Sequence, residues 1–220
     1  MMQRVVEITA DGSATIYIPE MDEHYHSVKG ALTESEHIFR DCAFLHRSGS
    51  SDKERLRALE IGFGTGLNAA VTAMATNQNT QVHYISLELY PLSIDEVMAL
   101  GYHDCVDKEL FIALHSAPWE IATEITPFFT LEKRKCDLLT AELPTEIDVV
   151  YFDAFAPEKQ PAMWSEDVFK RIYNAMTPGG VLTTYCAKGA VRRLLSSLGF
   201  RVERLPGPIG GKREILRATK

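Results

Sequence analysis

No run of apolar residues in this chain approaches the roughly eighteen that a membrane-spanning helix requires, which excludes a helical span. Cysteine is scarce: Cys42, Cys105, Cys136 and Cys186 are scattered, with no Cys-x-x-Cys pair. That spacing argues against a disulfide scaffold or a zinc site and for reduced, mostly buried thiols. The seven histidines form no ligand pattern either, and the His24-Tyr25-His26 stretch alone does not make one, so no metal is expected. Residues 1–9 carry Glu7 in a short alternating run and lack a signal-peptide core, which favours a cytoplasmic protein.

Positive charge is also short overall, with 23 Lys and Arg against 30 Asp and Glu, a net charge of −7. The deficit is uneven. Residues 179–220 hold nine Lys and Arg against Glu203 and Glu214, whereas the preceding part of the chain is strongly acidic. Such a division suggests an anionic partner at the C-terminal end, or else a solvated basic face.

What the chain does have is a glycine-dense turn. The apolar run Leu56 to Ile61 stops at Gly62-Phe63-Gly64-Thr65-Gly66, and a helix-forming run, Leu67 to Thr76, follows at once. Strand, tight loop and helix N-terminus let a ligand approach the backbone and meet free N–H groups. A dinucleotide fingerprint would place its third glycine at Leu67. Here the glycines alternate, and Glu60 stands two residues before the first. A carboxylate there repels a pyrophosphate and attracts the ammonium of a methionine moiety. The pattern therefore favours S-adenosylmethionine over NAD, the alternative being a glycine-rich turn without a ligand.

From Leu56 strands and helices alternate, which predicts a mainly parallel sheet covered on both faces. Expected strands are Leu56–Ile61, Gln81–Glu88, Phe128–Lys133, Ile147–Phe152, Val181–Tyr185, Phe200–Leu205 and Arg213–Ala218. Expected helices include Pro91–Leu100 with Pro91 in its first turn, Val106–Leu114, Pro118–Glu124, Ser165–Met176 and Ala190–Leu198. Thr177 to Gly180 reads as a break. Only Pro206 to Gly211 joins the last two strands, too short for a crossover helix, so they should be antiparallel. Ahead of this core, runs 5–9 and 14–18 flank Asp11-Gly12, a hairpin signal, and Thr33 with Glu36 reads as a capping box. The polar stretch Ser48 to Lys53 suggests a boundary, giving an extension over 1–50 and a catalytic domain over 51–220. This α/β arrangement is similar to the Rossmann-like class I methyltransferase fold, with a small N-terminal β-hairpin and helix extension.

Acidic residues fall at the carboxyl ends of the strands, where such sheets bind ligands. Glu88 closes the second core strand, where a carboxylate can hold ribose hydroxyls; a surface glutamate is the alternative. Asp137 follows the third and could accept from an adenine amine. Asp153 ends the strongly apolar strand and opens Asp153-Ala154-Phe155-Ala156-Pro157. An alkyl amine acceptor arrives protonated, because its pKa resembles that of lysine, about 10.4. Asp153 can bind that ammonium and orient its lone pair, and Phe155 offers an aromatic face. The bland alternative for Asp153 is a strand-end turn cap.

Tyr25-His26-Ser27 with Glu34-Ser35 and His37-Ile38-Phe39, the glycine motif through Asn68, Glu88, Asp153 to Pro157 with Met163-Trp164, and Gly211-Lys212-Arg213-Glu214 occur together in this chain. In these, it resembles the methyltransferase component of the MnmC family from Tyr25 nearly to its end. The resemblance implies S-adenosylmethionine-dependent methylation of an aminomethyl group on the wobble uridine of tRNA. It implies Tyr25, Glu60, Gly62, Gly64, Gly66, Asn68, Glu88 and Asp137 around the cofactor, with Asp153 and Phe155 at the reacting amine. His26 stands where Phe is expected, a departure on the substrate side. A chain of 220 residues has no room for the family's FAD-dependent oxidase, so a separate oxidase acting upstream is implied. With tRNA as the partner, Lys188, Lys212 and Arg213 become candidates for phosphate contacts, Arg192 and Arg193 sharing the same basic third. A polyamine or small-amine alkyl transferase of the same fold, or a non-catalytic S-adenosylmethionine- or RNA-binding module, are the rival readings.

Overall fold

The computed structural model describes residues 3–102 and 105–220. Two sheets form. A small antiparallel meander joins β1 (Val5–Ile8), β2 (Ala14–Ile18) and β3 (Glu23–His24). The large sheet holds β4 (Arg55–Ile61), β5 (Gln81–Glu88), β6 (Thr123–Thr126), β7 (Phe129–Lys135), β8 (Ile147–Phe152), β9 (Met176–Thr184), β10 (Arg201–Pro206) and β11 (Glu214–Thr219). Its spatial order is β10-β11-β9-β8-β4-β5-β7-β6. The strands β9, β8, β4, β5 and β7 pair in parallel, and β11 inserts antiparallel between β9 and β10.

Alternation along the central strands divides the interior in two. Leu56 and Ala58 of β4, with Val149 and Tyr151 of β8, face one core; Leu59 and Ile61, with Val150 and Phe152, face the other. The first core takes helix α1, which runs as Ala31–Glu34, a π-wound stretch Ser35–Leu45 and a last turn His46–Ser48. It also takes α2 (Leu67–Ala75), α3 (Ile94–Ala99) and α4 (Lys108–Ser116). The second core takes α5 (Glu166–Ala175) and α6 (Gly189–Ser197). All six residues of β8 are buried, as befits a strand covered on both faces.

Four local expectations are corrected. Pro91 precedes its helix: Ser93 caps α3 and Glu96 reaches back, a complete capping box that outcompetes the proline start. Residues 118–122 are not helical, because Glu120 adopts φ 65° and donates its N–H to the Lys133 carbonyl at 2.7 Å. The β-branched stretch after it forms β6, an antiparallel edge on β7. The helix ends ahead of residues 177–180 as expected, but the strand starts earlier than Val181: β9 begins at Met176 and runs through them with a register shift, Gly179 N–H donating to the Lys220 carbonyl at 2.9 Å.

The fourth correction ties the extension to the core. Thr33 does not cap α1, and Glu36 instead pairs with Arg40. The cap comes from the β1–β2 turn: Ser13 Oγ accepts from the N–H groups of Ala31 and Leu32, both at 3.1 Å. Asp11 Oδ2 accepts from Thr33 N–H at 2.9 Å and Thr33 Oγ1 at 2.8 Å. Burial opposes the Asp11 charge, but hydrogen bonds from Ser13, Thr33 and Thr9 hold its carboxyl well below the usual range. That depressed carboxylate stabilises the fold above about pH 4 and loses its contribution as pH falls further. Asp11→Ala is expected to lower unfolding stability by about 1–2 kcal/mol at pH 7. In urea titrations the deficit should shrink toward pH 3, as Asp11 in the unfolded wild-type chain takes up a proton while the folded one stays ionised.

Candidate active site

Gly62, Gly64 and Gly66 all take positive φ between β4 and α2. A Cβ on Gly66 would lie 2.6 Å from His115 Nε2 and force it to move, and one on Gly64 would press on the Tyr25 ring at 3.1 Å. Between them, Thr65 is held from two sides. His26 Nε2 lies 2.6 Å from Thr65 Oγ1, and His115 donates from Nε2 to the Thr65 carbonyl at 3.1 Å. Burial lowers both imidazoles to about 4, so they are neutral near pH 7. Behind them the buried Lys133 ammonium donates to the carbonyls of Leu114 and His115, both at 2.9 Å, closing the C-terminal end of α4.

The loop forms the floor of a cleft at the carboxyl ends of β4, β5, β7 and β8, with Met21 and Tyr25 of the extension over it. Of the residues singled out in the sequence, Tyr25, Gly62, Gly64, Asn68, Glu88, Asp137, Asp153 and Phe155 all line it. Glu88 is fixed at the end of β5, accepting from Gly64 N–H at 3.0 Å and Tyr90 N–H at 2.7 Å. Asp137 accepts from Leu139 N–H at 2.9 Å. Asn68, on the first turn of α2, donates from Nδ2 to Asp153 Oδ2 at 2.9 Å. Gly66 caps α2 beneath the cleft, and Glu60 lies fully buried behind its floor.

Glu60 accepts from Ser86 Oγ at 2.7 Å through one oxygen, while its other oxygen and Asn68 Oδ1 are buried without a hydrogen-bond partner. Two orphaned acceptors beside a glycine loop suit a ligand that brings a cationic donor. Burial raises the Glu60 carboxyl to about 8, with the nearby Asp153 adding to the rise. Asp153 is likewise raised well above the carboxylate range, first by burial and then by the charge of Glu34.

The Asp153 to Pro157 loop is fastened at three points. Tyr185 OH donates to the Ala154 carbonyl at 2.9 Å, Trp164 Nε1 to the Phe155 carbonyl at 2.8 Å, and Phe155 N–H to Gln160 Oε1 at 3.2 Å. Phe155 meets Tyr25 edge to face at 5.4 Å. Burial keeps Tyr25 a phenol, its pKa raised to about 12. Sequence reasoning missed Gln160, Phe63, Leu87, Tyr90 and Leu138 as lining residues. Adjacency to Gly62, Glu88 and Asp137 was the available signal for all but Gln160, which carries none. The three basic candidates lie outside the cleft: Lys188 pairs with Glu158, Arg213 is exposed, and Lys212 lies against Tyr185 and Glu34.

The raised Glu60 pKa has a sign that can be tested. The folded protein keeps a proton that the unfolded chain releases from about pH 4.5, so stability declines as pH rises to about 8. Glu60→Gln removes this decline. Its stability relative to wild type should rise from pH 5 to pH 8, by up to about 4 kcal/mol, in ligand-free urea titrations. A difference independent of pH would mean that Glu60 is charged without ligand.

The family described as S-adenosyl-L-methionine-dependent methyltransferase matches residues 131–220. The tRNA 5-methylaminomethyl-2-thiouridine biosynthesis bifunctional protein MnmC of Pseudomonas fluorescens is 32% identical over 210 residues, covering 89% of this chain and 32% of the relative. The protein of that name from Cupriavidus metallidurans is 30% identical over 97% of this chain and 34% of its own length. The chain thus spans about a third of the length of these relatives. The crystal structure of MNMC2 from Aquifex aeolicus superposes with a TM-score of 0.77 at 27% identity, covering all of this chain and 71% of that one. Spermidine synthase from Thermotoga maritima, at a TM-score of 0.59 and 16% identity, covers all of this chain and 74% of that one and shares the fold alone. The chain thus has the class I S-adenosylmethionine-dependent methyltransferase fold and is similar, over nearly its whole length, to about a third of each MnmC relative.

Proposed function

We propose that this enzyme methylates the aminomethyl nitrogen at C5 of a wobble uridine in tRNA, converting 5-aminomethyl-(2-thio)uridine to 5-methylaminomethyl-(2-thio)uridine. The observation that carries this reading is the Asn68–Asp153 pair at the end of β8, open to the cofactor cleft and flanked by Phe155. The product nucleoside in the name of the relatives supports it.

The residues fit S-adenosylmethionine. Glu60, Asn68 and the Gly62–Gly66 backbone would hold its methionine end, Glu88 its ribose, Asp137 and Leu138 its adenine, with Tyr25 above. When bound, it supplies a methyl group on a positively charged sulfur. Asp153 has three tasks in this site: to bind the acceptor's ammonium, to accept a proton from it, and to hold the neutral amine in line. Held neutral and in line by Asp153, which keeps the proton, the amine would be placed to take up that methyl group. A carboxyl raised by burial and by Glu34 holds a proton more readily than an ordinary aspartate, which suits that proton transfer. Phe155 and Tyr25 give the flat base an aromatic wall.

The exposed Lys188 and Arg213, with Arg193 on α6, suit the phosphates of the tRNA. A cytoplasmic location and a separate FAD-dependent oxidase acting upstream belong to the same proposal. Among the described residues, no helix is long and apolar enough to cross a membrane.

With tRNA lacking the terminal methyl, Asp153→Asn should cut kcat by about 10²–10⁴-fold while cofactor affinity by calorimetry stays within about twofold. A variant with undiminished kcat would remove Asp153 from the reaction. In the wild type, kcat/KM for tRNA should fall steeply with salt. Arg213→Ala should flatten the log–log slope by about one if Arg213 contacts a phosphate; an unchanged slope would place the tRNA elsewhere.

A further inference from the structure

Lys212 does not stand free on the surface. Its loop, residues 207–213 between β10 and β11, is glycine-rich and carries Ile209, 95% exposed, at its tip. The Lys212 ammonium lies 3.4 Å from the centre of the Tyr185 ring and 3.6 Å from Glu34 Oε1. Glu34, in the first turn of α1, is only 5% exposed. One of its oxygens accepts from Ser27 N–H at 2.8 Å; Oε1 is buried and has no hydrogen-bond partner. A buried carboxylate oxygen left unsatisfied is costly, and a lysine 3.6 Å away compensates its charge without making the bond.

This socket adjoins the reacting centre. Tyr185 hangs its hydroxyl on the carbonyl of Ala154, the residue after Asp153. Glu34 and Lys212 both act on the Asp153 charge, in opposite directions. The occupant is chemically telling. A lysine side chain ends in a methylene carrying a primary ammonium, the same functional group as an aminomethyl substituent.

We infer that Glu34 and Tyr185 complete, beside Asp153, the subsite in which Asp153 receives the acceptor's primary ammonium, and that Lys212 fills this side of it as a displaceable stand-in. The inference rests on the proposed amine methylation and adds a specificity element to it. An incoming aminomethyl group takes the socket, and Lys212 swings out on its loop, freed to meet a phosphate of the same substrate. Glu34 offers its orphaned oxygen to the ammonium at closer range than the tethered lysine attains, and the Tyr185 face supplies the cation–π contact. An acceptor with a hydroxyl in place of the amine carries no charge for Glu34 and cannot displace the lysine.

The test is calorimetric titration of propylammonium chloride into protein saturated with S-adenosylhomocysteine, with propanol as the uncharged control. A resident cation that occupies the socket nine-tenths of the time weakens apparent binding about tenfold. Lys212→Met should therefore bind propylammonium about tenfold more tightly than wild type. Adding Glu34→Gln to that variant should abolish the gain, and propanol should show no difference among the three proteins. Equal S-adenosylhomocysteine affinity in all three certifies the fold. Lys212→Met binding no more tightly, or the double variant keeping the gain, overturns the inference. Failure of the wild type to methylate tRNA, with the amine pattern intact, would overturn the uridine reading and leave the subsite standing. Methylated tRNA with no amine pattern would do the reverse.

Discussion

The parallel pairing of β4 between β5 and β8 is the constraint on which the site depends. Ile61 pairs with Leu87 on one side and with Phe152 on the other. The next residues along the three strands are Gly62, Glu88 and Asp153. One register therefore sets the glycine turn, the Glu88 carboxylate and the Asp153 carboxyl at a common level. A one-residue slip in either pairing would turn alternate side chains to the opposite face and separate them. The continuous burial of β8 and the division of β4 between two cores make that slip expensive.

The second shared feature is a set of carboxyl groups held where water is scarce. Glu60, Glu34 and Asp153 are three carboxyl groups drawn close by the fold, and the pKa of Asp153 rises partly because Glu34 is near. Such a cluster is uncomfortable without cations and welcoming to them. The cofactor brings a cationic end and the proposed acceptor brings another, so both ligands relieve the same electrostatic stress. Lys212 offsets part of it in their absence. The histidines at Thr65 play a different part: neutral and buried, they shape the glycine loop rather than its charge.

Much of this was legible from the residues. The alternation of glycines after an apolar strand, with Glu60 ahead of them, pointed to the cofactor, and the acids at strand ends fell into one cleft as their positions implied. The antiparallel last pair followed from the brevity of residues 206–211. What local pattern could not supply was long-range hydrogen bonding. The cap of α1 comes from Asp11 and Ser13, about twenty residues away in sequence, and so no Thr33-based box was needed. Residues 118–122 carry helix-compatible types, yet the bond from Glu120 to Lys133 and the pairing of β6 with β7 override that preference. Gln160 and Glu34 act through a single backbone contact or an empty oxygen, features with no periodicity to betray them. Nor did the charge pattern, which made Lys212 a candidate for a phosphate contact, show that Tyr185 and Glu34 lie within reach of its loop as cation–π and carboxylate partners.

The most direct measurement is to incubate the protein with methyl-labelled S-adenosylmethionine and tRNA lacking the terminal methyl, then digest and resolve the nucleosides by mass. The account requires the label in 5-methylaminomethyl-(2-thio)uridine and in no other nucleoside. Unlabelled tRNA alongside a methylated or alkylated small amine would contradict it and assign the same cleft to polyamine-like acceptors.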